Sequence, residues 1–207
     1  MGPDVRGTQV LVVGVGLSGE AAATHLVRLG ALVRAVDDGD GERQRAAADR
    51  LTGLGVEVAL GGLPAELPDD IELVVTSPGL RPTTPVFASA RARGVPVWGE
   101  VELAYRLKPT DQRWFAITGT NGKTTTTQML GAILEAGGRR STTAGNIGTP
   151  LLDAVTAVDG LASRSLPSEV VAFLGPSGAG TTSTIDTRAC TRAEAVLPAD
   201  EHGWLLG

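Results

Sequence analysis

One stretch near the middle of the chain constrains the fold more than any other. An apolar run over 114–117 is followed by a glycine-rich turn, a Lys-Thr pair and a helix-compatible segment over 128–136. Strand, glycine turn and helix is the layout of a phosphate-binding loop, because glycines let backbone N–H groups converge on phosphate oxygens at a helix N-terminus. The sequence therefore predicts an α/β fold with a phosphate site in this segment.

The polar residues of this turn have expected roles. Lys123 would reach the outer phosphates of a nucleotide, and the Thr124 hydroxyl would bind Mg²⁺. The general pattern G-x-x-x-x-G-K-[ST] is met imperfectly, because Ile117 stands where its first glycine is expected and Gly119 comes later. The alternative is a surface turn that happens to contain a lysine.

A second glycine motif lies near the start of the chain. A short apolar run predicts a buried strand, and Gly14, Gly16 and Gly19 then form a complete G-x-G-x-x-G before a helix-compatible segment. The next predicted strand runs into Asp37, the position where a ribose hydroxyl would be bound. A nicotinamide dinucleotide and a uridine nucleotide both fit this scaffold, and a tight turn without a ligand is the further alternative.

Three more strands are predicted in the first half of the chain, over 56–60, 71–75 and 95–98. The turn after the second of them contains Pro78, which stops the strand, and Gly79, which would let the backbone approach a ligand. This turn would lie at the carboxyl end of a parallel strand, where open α/β sheets bind ligands. An ordinary turn is the alternative.

A polar, proline-containing hinge over 108–112 predicts a domain boundary. We therefore expect a first domain over 1–112 and a second over 113–207. In the second domain a turn over 145–150 contains Asn146, whose amide could contact a ligand; a plain turn asparagine is the alternative.

Charge and cysteine content exclude several classes of function. The net charge is −5 and no basic block is present, which weighs against a nucleic-acid partner. The single cysteine, Cys190, cannot form an internal disulfide and fits a reducing compartment. No signal-peptide core and no apolar run of membrane-spanning length occur, so we expect a cytoplasmic protein without a membrane partner.

Taken together, these motifs resemble the Mur ligase family of peptidoglycan synthesis. They follow the family's order over residues 5 to about 155, and Asn121 before the Gly-Lys pair favours the D-glutamate-adding branch. The motifs that carry the resemblance are 14–19, Asp37, 77–79, 98–103, 119–125 and 145–148. The resemblance implies a Rossmann-like parallel-sheet domain followed by an incomplete P-loop α/β ATPase domain.

The resemblance also implies a reaction and its residues. ATP would phosphorylate the terminal carboxylate of UDP-N-acetylmuramoyl-L-alanine, and the amine of D-glutamate would attack the acyl phosphate to form an amide. Lys123 and Thr124 would be catalytic, with Thr124 holding Mg²⁺, in a monomeric enzyme. The implied ATP-binding residues are Gly119, Thr120, Asn121, Gly122, Lys123, Thr124 and Thr125. The implied precursor-binding residues are Gly16, Leu17, Ser18, Asp37, Gly79 and Asn146.

The family pattern ends near residue 160. Glu169 stands before an apolar run, where the family has a glutamate at the end of a strand, and no lysine follows Lys123. The surroundings of His202 do not match the family's metal-binding histidine, and by this resemblance we expect the third, amino-acid-binding domain to be missing. A frameshift, gene fusion or truncation near residue 160 is the hypothesis that would account for this change.

The tail after residue 160 is atypical in other ways. Residues 169–182 look like the phosphate loop of a transporter-type ATPase, but Thr181 takes the position of the lysine, so a strand and glycine turn without a ligand is favoured. Residues 183–207 show no clear periodicity and are expected to be disordered. We therefore expect impaired ligase activity. The alternatives are a catalytically inactive fragment that binds nucleotide or UDP precursor, and an NAD-dependent oxidoreductase.

Overall fold

A computed structural model describes residues 3–109, 112–118, 122–145, 150–155, 169–173 and 195–198. The chain divides between Leu103 and Ala104 into two compact units. This division falls within a helix, a few residues before the hinge that the sequence suggests. The domain ranges 1–112 and 113–207 stay a prediction.

The first unit is a parallel α/β sheet with five strands in the order β3-β2-β1-β4-β5. Its central strand β1 is buried because its residues are almost all apolar, as expected for a parallel strand covered on both faces. The elements in chain order are β1 (Gln9–Val13), α1 (Leu17–Arg28), β2 (Leu32–Asp37), α2 (Glu42–Thr52), β3 (Glu57–Leu60), β4 (Leu73–Thr76), α3 (Pro85–Ala92), β5 (Val97–Gly99) and α4 (Glu100–Leu107). All sequence-predicted strands of this region are present, which confirms the α/β fold class.

The strand order reverses direction at β1, and this positions a binding crevice. β2 and β3 lie on one side of β1, whereas β4 and β5 lie on the other. The pairings run in parallel register, with Val13 opposite Val36 on one side and opposite Thr76 on the other. The carboxyl ends of β1, β2 and β4 therefore meet at one edge of the sheet, at the switch point where such folds bind ligands.

The core of the first unit is built from aliphatic side chains with a single aromatic contribution. Leu11 and Val13 of β1 pack with Val74 of β4 against the helix α3, where Phe87 is buried. The low aromatic content, 3% of the chain, makes Val, Leu and Ala the main core residues, as the composition predicts. This packing holds the strand ends, and therefore the edge that carries the glycine loop, in fixed positions.

The second unit contains a four-stranded parallel sheet in the order β7-β8-β6-β9. Its elements are β6 (Arg113–Thr118), α5 (Lys123–Ala136), β7 (Ser141–Gly145), α6 (Leu151–Val155), β8 (Glu169–Phe173) and β9 (Ala195–Pro198). The strand and helix on either side of the central glycine turn are confirmed. No helix of the described ranges in either unit is long and apolar enough to cross a membrane.

Two of these strands fall in the atypical tail. β8 agrees with the strand expected at the start of 169–182 and pairs with β6 and β7. β9 contradicts the prediction that 183–207 lacks regular structure, because Ala195–Pro198 pairs in parallel with β6. A run of 4 residues is too short for periodicity to reveal, and its strand conformation comes from pairing across the sheet. Thr181, His202 and the other tail residues outside β8 and β9 lie outside the described residues.

Candidate functional site

The glycine loop at the carboxyl end of β1 is built by close packing at two of its three glycines. An ideal Cβ on Gly19 would lie 1.8 Å from the Gly14 carbonyl oxygen, and one on Gly14 would lie 2.8 Å from Ser77 Cβ. Gly14 also has φ +92°, in the left-handed region that favours glycine. The first turn of α1 therefore rests directly on the loop, and neither position has room for a side chain.

Gly16 has a different reason to be glycine. It is the N-cap of α1 with φ −65°, which any residue adopts, and no atom within the described part of the chain comes within 4 Å of its ideal Cβ. The residue is exposed, and no side chain caps the first turn of α1. Open space beside uncapped helix N–H groups is what a phosphate group requires for close approach.

The other loop residues of the predicted precursor site lie beside Gly16. Leu17 and Ser18 open the first turn of α1; the Leu17 side chain is 69% exposed and Ser18 is half-buried. Because most of its side chain is exposed, Leu17 contributes little to the hydrophobic core of this unit. It offers an apolar surface next to the uncapped N–H groups of the turn.

Asp37, the last residue of β2, lies against the glycine loop, but its carboxylate contacts backbone. Asp37 Oδ2 accepts a hydrogen bond of 2.6 Å from the Val15 N–H, and Oδ1 accepts one of 2.8 Å from the Gly39 N–H. The side chain is buried. In the structure this carboxylate joins two loops of the protein, and its contact with a ribose hydroxyl stays a prediction.

The turn after β4 completes the same edge. Ser77 Oγ donates a 2.8 Å hydrogen bond to the Gly14 carbonyl, and the Ser77 N–H donates to the Val13 carbonyl at 2.9 Å. Gly79 is exposed with φ +103°, so the turn needs glycine there for its backbone conformation. Ser77 was part of a recognised motif but was not a predicted site residue. Its position at the end of a strand, next to a Pro-Gly turn, was the sequence signal that could have marked it as a site residue.

The second candidate site begins where α5 starts. Gly122 is its N-cap with φ +73°, and its carbonyl accepts hydrogen bonds from the N–H and the hydroxyl of Thr126, at 2.9 and 3.0 Å. Lys123, half-buried, and Thr124 and Thr125, both exposed, form the first turn of the helix. The sequence-predicted residues Gly119, Thr120, Asn121 and Asn146 lie outside the described residues.

The donor set around Thr124 fits a metal that is held mainly by nucleotide phosphates. Across the described ranges, no group of three or more His, Cys, Asp or Glu residues is placed to hold a metal ion. Mg²⁺ commonly binds through few protein ligands and through substrate phosphates and water. The exposed hydroxyl of Thr124 at the N-terminus of α5 is compatible with that mode.

Comparison with known families identifies the segments that contain the two glycine loops. Residues 8–99 match the Mur ligase MurD-like N-terminal domain, and residues 117–169 match the Mur ligase middle domain. These two segments belong to the Mur ligase family. The first match contains the glycine loop, Asp37 and Ser77, and the second contains the start of α5.

Individual relatives agree with this assignment. The chain is 64% identical over 151 residues to a UDP-N-acetylmuramoylalanine–D-glutamate ligase of Frankia casuarinae, covering 73% of this chain and 32% of the relative. It is 56% identical over 151 residues to the enzyme of that name from Streptomyces avermitilis, covering 72% of this chain and 32% of the relative. The chain thus spans about a third of the length of the curated relatives it matches.

A solved Mur ligase shares the fold. The UDP-N-acetylmuramate:L-alanyl-gamma-D-glutamyl-meso-diaminopimelate ligase from Neisseria meningitides superposes with a TM-score of 0.50 at 20% identity. The match covers 80% of this chain and 52% of that one. At this identity the likeness concerns the Mur ligase fold alone.

Proposed function

We propose that this chain supplies the UDP-precursor-binding domain and the beginning of the ATP-binding domain of an ATP-dependent ligase that adds D-glutamate to UDP-N-acetylmuramoyl-L-alanine. The observation that carries the proposal is Gly16: it is exposed and conformationally ordinary, with open space beside an uncapped helix start. The name shared by the relatives supports the choice of precursor and amino acid.

In the first unit, the diphosphate of the precursor binds at the start of α1. The N–H groups of Gly16, Leu17 and Ser18 donate to its oxygens, and the positive end of the helix dipole adds favourable charge. Gly79 lies at the neighbouring strand end, where its exposed backbone can approach the same ligand. Asp37 acts through the loop that it holds.

In the second unit, ATP binds over the segment 119–125, with Lys123 on its outer phosphates. A carboxylate oxygen of the precursor forms a bond to the γ-phosphorus while the bond to the β-bridging oxygen breaks, which releases ADP. The amine of D-glutamate then attacks the acyl carbon, loses a proton and expels phosphate. Lys123 stabilises charge on the transferring group. Mg²⁺, held by Thr124 and the phosphates, would neutralise charge on the same oxygens.

The second candidate is a fragment that binds the UDP precursor and does not catalyse ligation. It is favoured by the glycine loop at the start of α1, which lies within the first unit and is held by hydrogen bonds from that unit. Under either candidate we propose a cytoplasmic monomer without nucleic-acid or membrane partners. The net charge of −5 supports the absence of a nucleic-acid partner.

Phosphate release from ATP separates these candidates. The assay contains purified chain, Mg²⁺, UDP-N-acetylmuramoyl-L-alanine and D-glutamate, with each substrate omitted in turn. Release that requires both substrates supports ligation by this chain. Absence of release together with binding of the precursor supports the binding fragment. Binding of NADH in place of the precursor contradicts both candidates and favours the oxidoreductase.

A further inference from the structure

One peptide group in the glycine loop is held at both ends by side chains. Its carbonyl, from Gly14, accepts a 2.8 Å hydrogen bond from Ser77 Oγ. Its N–H, from Val15, donates a 2.6 Å hydrogen bond to Asp37 Oδ2. Because a peptide group is planar, fixing its C=O and its N–H fixes the orientation of the whole plane.

The two side chains come from opposite sides of the central strand. Asp37 ends β2 and Ser77 follows β4, and these strands flank β1 in the sheet. The backbone is tied at the same level, because the Gly14 N–H donates to the Val36 carbonyl at 2.7 Å. The sheet therefore holds the beginning of the loop from both neighbouring strands.

The Gly14 carbonyl also packs against the first turn of α1. An ideal Cβ on Gly19 would lie 1.8 Å from this Gly14 oxygen and 2.5 Å from Ser77 Oγ. Val15, next to the peptide, is buried at 1% exposure. A rotation of the peptide plane would thus move the carbonyl against the first turn of α1, whose N–H groups face the open space beside Gly16.

We propose that Asp37 and Ser77 are positioning residues for nucleotide binding, which act through the peptide group between Gly14 and Val15. We name these two side chains and that peptide group the peptide clamp. The peptide clamp fixes the direction of the N–H groups of residues 16–18 before a ligand arrives. This inference rests on the proposed function, because it concerns the same phosphate site.

The hydrogen bonds of Asp37 and Ser77 can each be removed by a substitution that changes the size of the side chain little. In Asp37→Asn the shape is kept, but the amide presents one oxygen and one NH₂ group, so it cannot accept from the Val15 and Gly39 N–H groups together. Ser77→Ala removes the only side-chain donor to the Gly14 carbonyl within the described residues and introduces no new contact.

The same unit offers two matched controls far from the binding edge. Glu72 Oε2 accepts a 3.0 Å hydrogen bond from the Gln9 N–H, at the opposite end of β1. Ser89 Oγ accepts a 3.0 Å hydrogen bond from the Leu67 N–H. Glu72→Gln and Ser89→Ala therefore each disturb one side-chain-to-backbone hydrogen bond without touching the peptide clamp, although the Ser89 hydroxyl accepts from an N–H whereas the Ser77 hydroxyl donates to a carbonyl.

The test measures UDP affinity by calorimetry and Val15 amide exchange by NMR, in the full chain. We expect Ser77→Ala and Asp37→Asn to weaken UDP binding about tenfold, as for one or two lost hydrogen bonds, and both controls to bind like wild type. Ser77→Ala should also accelerate exchange of the Val15 amide without UDP, although it does not touch that N–H directly.

Two results would overturn the peptide clamp. The first is wild-type UDP affinity in both variants alongside lowered melting temperatures, which would leave Asp37 and Ser77 a structural role only. The second is unchanged Val15 exchange in Ser77→Ala, which would show that the two ends of the peptide are held independently. If wild type does not bind UDP, the proposed function fails, and the Val15 exchange result alone decides the peptide clamp.

Discussion

The two glycine loops of this chain differ in how they are built. In the first loop, two glycines are required by packing and side chains from both neighbouring strands hold the backbone. At the start of α5, Gly122 is required by its backbone conformation, with φ +73° and no described atom within 4 Å of its ideal Cβ. The charged group that would meet the phosphates there is Lys123.

This difference shows that the glycines of the two loops are not equivalent. Gly19 is excluded from carrying a side chain by the Gly14 carbonyl, Gly122 by its φ angle, and Gly16 by neither. Substitution should therefore affect folding at Gly19, the local backbone conformation at Gly122 and ligand binding at Gly16. Under the proposed function, the first unit would bind through backbone N–H groups, whereas the second would depend on the ammonium group of Lys123.

The largest effect is expected for Gly19→Ala. The new Cβ would lie 1.8 Å from the Gly14 oxygen, so α1 must move away from the loop. Overpacking of this kind costs about 1–3 kcal/mol or more in the free energy of unfolding, and we expect the upper part of that range. Urea unfolding followed by circular dichroism measures it. A stability equal to wild type would show that the helix is not seated on this carbonyl.

The next effect is expected for Lys123→Met. Loss of a charged hydrogen-bond donor to phosphate should weaken ATP binding about 10- to 100-fold, with UDP binding unchanged. Lys108→Met is the matched control, because Lys108 Nζ donates to the Gln112 carbonyl at 2.7 Å and should affect stability alone. Titration with ATP and Mg²⁺ measures both variants. Equal loss in the two variants would remove the assigned role of Lys123.

A smaller and more selective effect is expected for Gly16→Ala. Its φ of −65° suits alanine, and reduced freedom of the unfolded chain should leave stability unchanged or raise it by about 0.4–1 kcal/mol. The methyl group occupies the open space beside the helix start, so UDP binding should weaken about tenfold, a loss of roughly 1.4 kcal/mol. Melting temperature and UDP titration, measured on one preparation, check both parts. Wild-type affinity would place the phosphates elsewhere.

The smallest effect concerns pH and an ion pair of the first unit. The Arg34 guanidinium forms an ion pair with the Asp70 carboxylate, and this contact lowers the pKa of Asp70 below its ordinary value of 3.8. A carboxyl with a lowered folded-state pKa stabilises the fold above its unfolded-state pKa, and this stabilisation is lost as the pH falls through the folded-state value. Because Asp70 is half exposed, solvent screens the pair and the effect is small.

Asp70→Asn should therefore lower the melting temperature slightly at pH 7 and reduce its fall between pH 4 and pH 2. Asp69→Asn is the control for the charge change itself, since Asp69 is fully exposed and lies 3.7 Å from Arg93 Nη1. Melting curves across this pH range measure both variants. A melting temperature that falls as steeply at low pH in Asp70→Asn as in wild type would contradict the interaction between Arg34 and Asp70.

Much of this arrangement follows from local sequence. Buried parallel strands read as continuous apolar runs, and the glycines, the Pro-Gly pair and Asp37 at their ends mark the binding edge from the sequence alone. The sequence prediction erred where pairing partners lie far apart, as in β9, whose strand conformation depends on β6. The hydrogen bonds of Asp37 and Ser77 were not predictable for the same reason: they depend on three strands meeting at one level.

The central claim is that the first unit is a preformed site for a uridine diphosphate group. Calorimetric titration of the chain with UDP-N-acetylmuramoyl-L-alanine tests it most directly, with UDP and NADH as competitors. We predict one site per chain, displaced by UDP and indifferent to NADH. Displacement by NADH, or absence of precursor binding in a chain whose first unit is folded, would contradict the account.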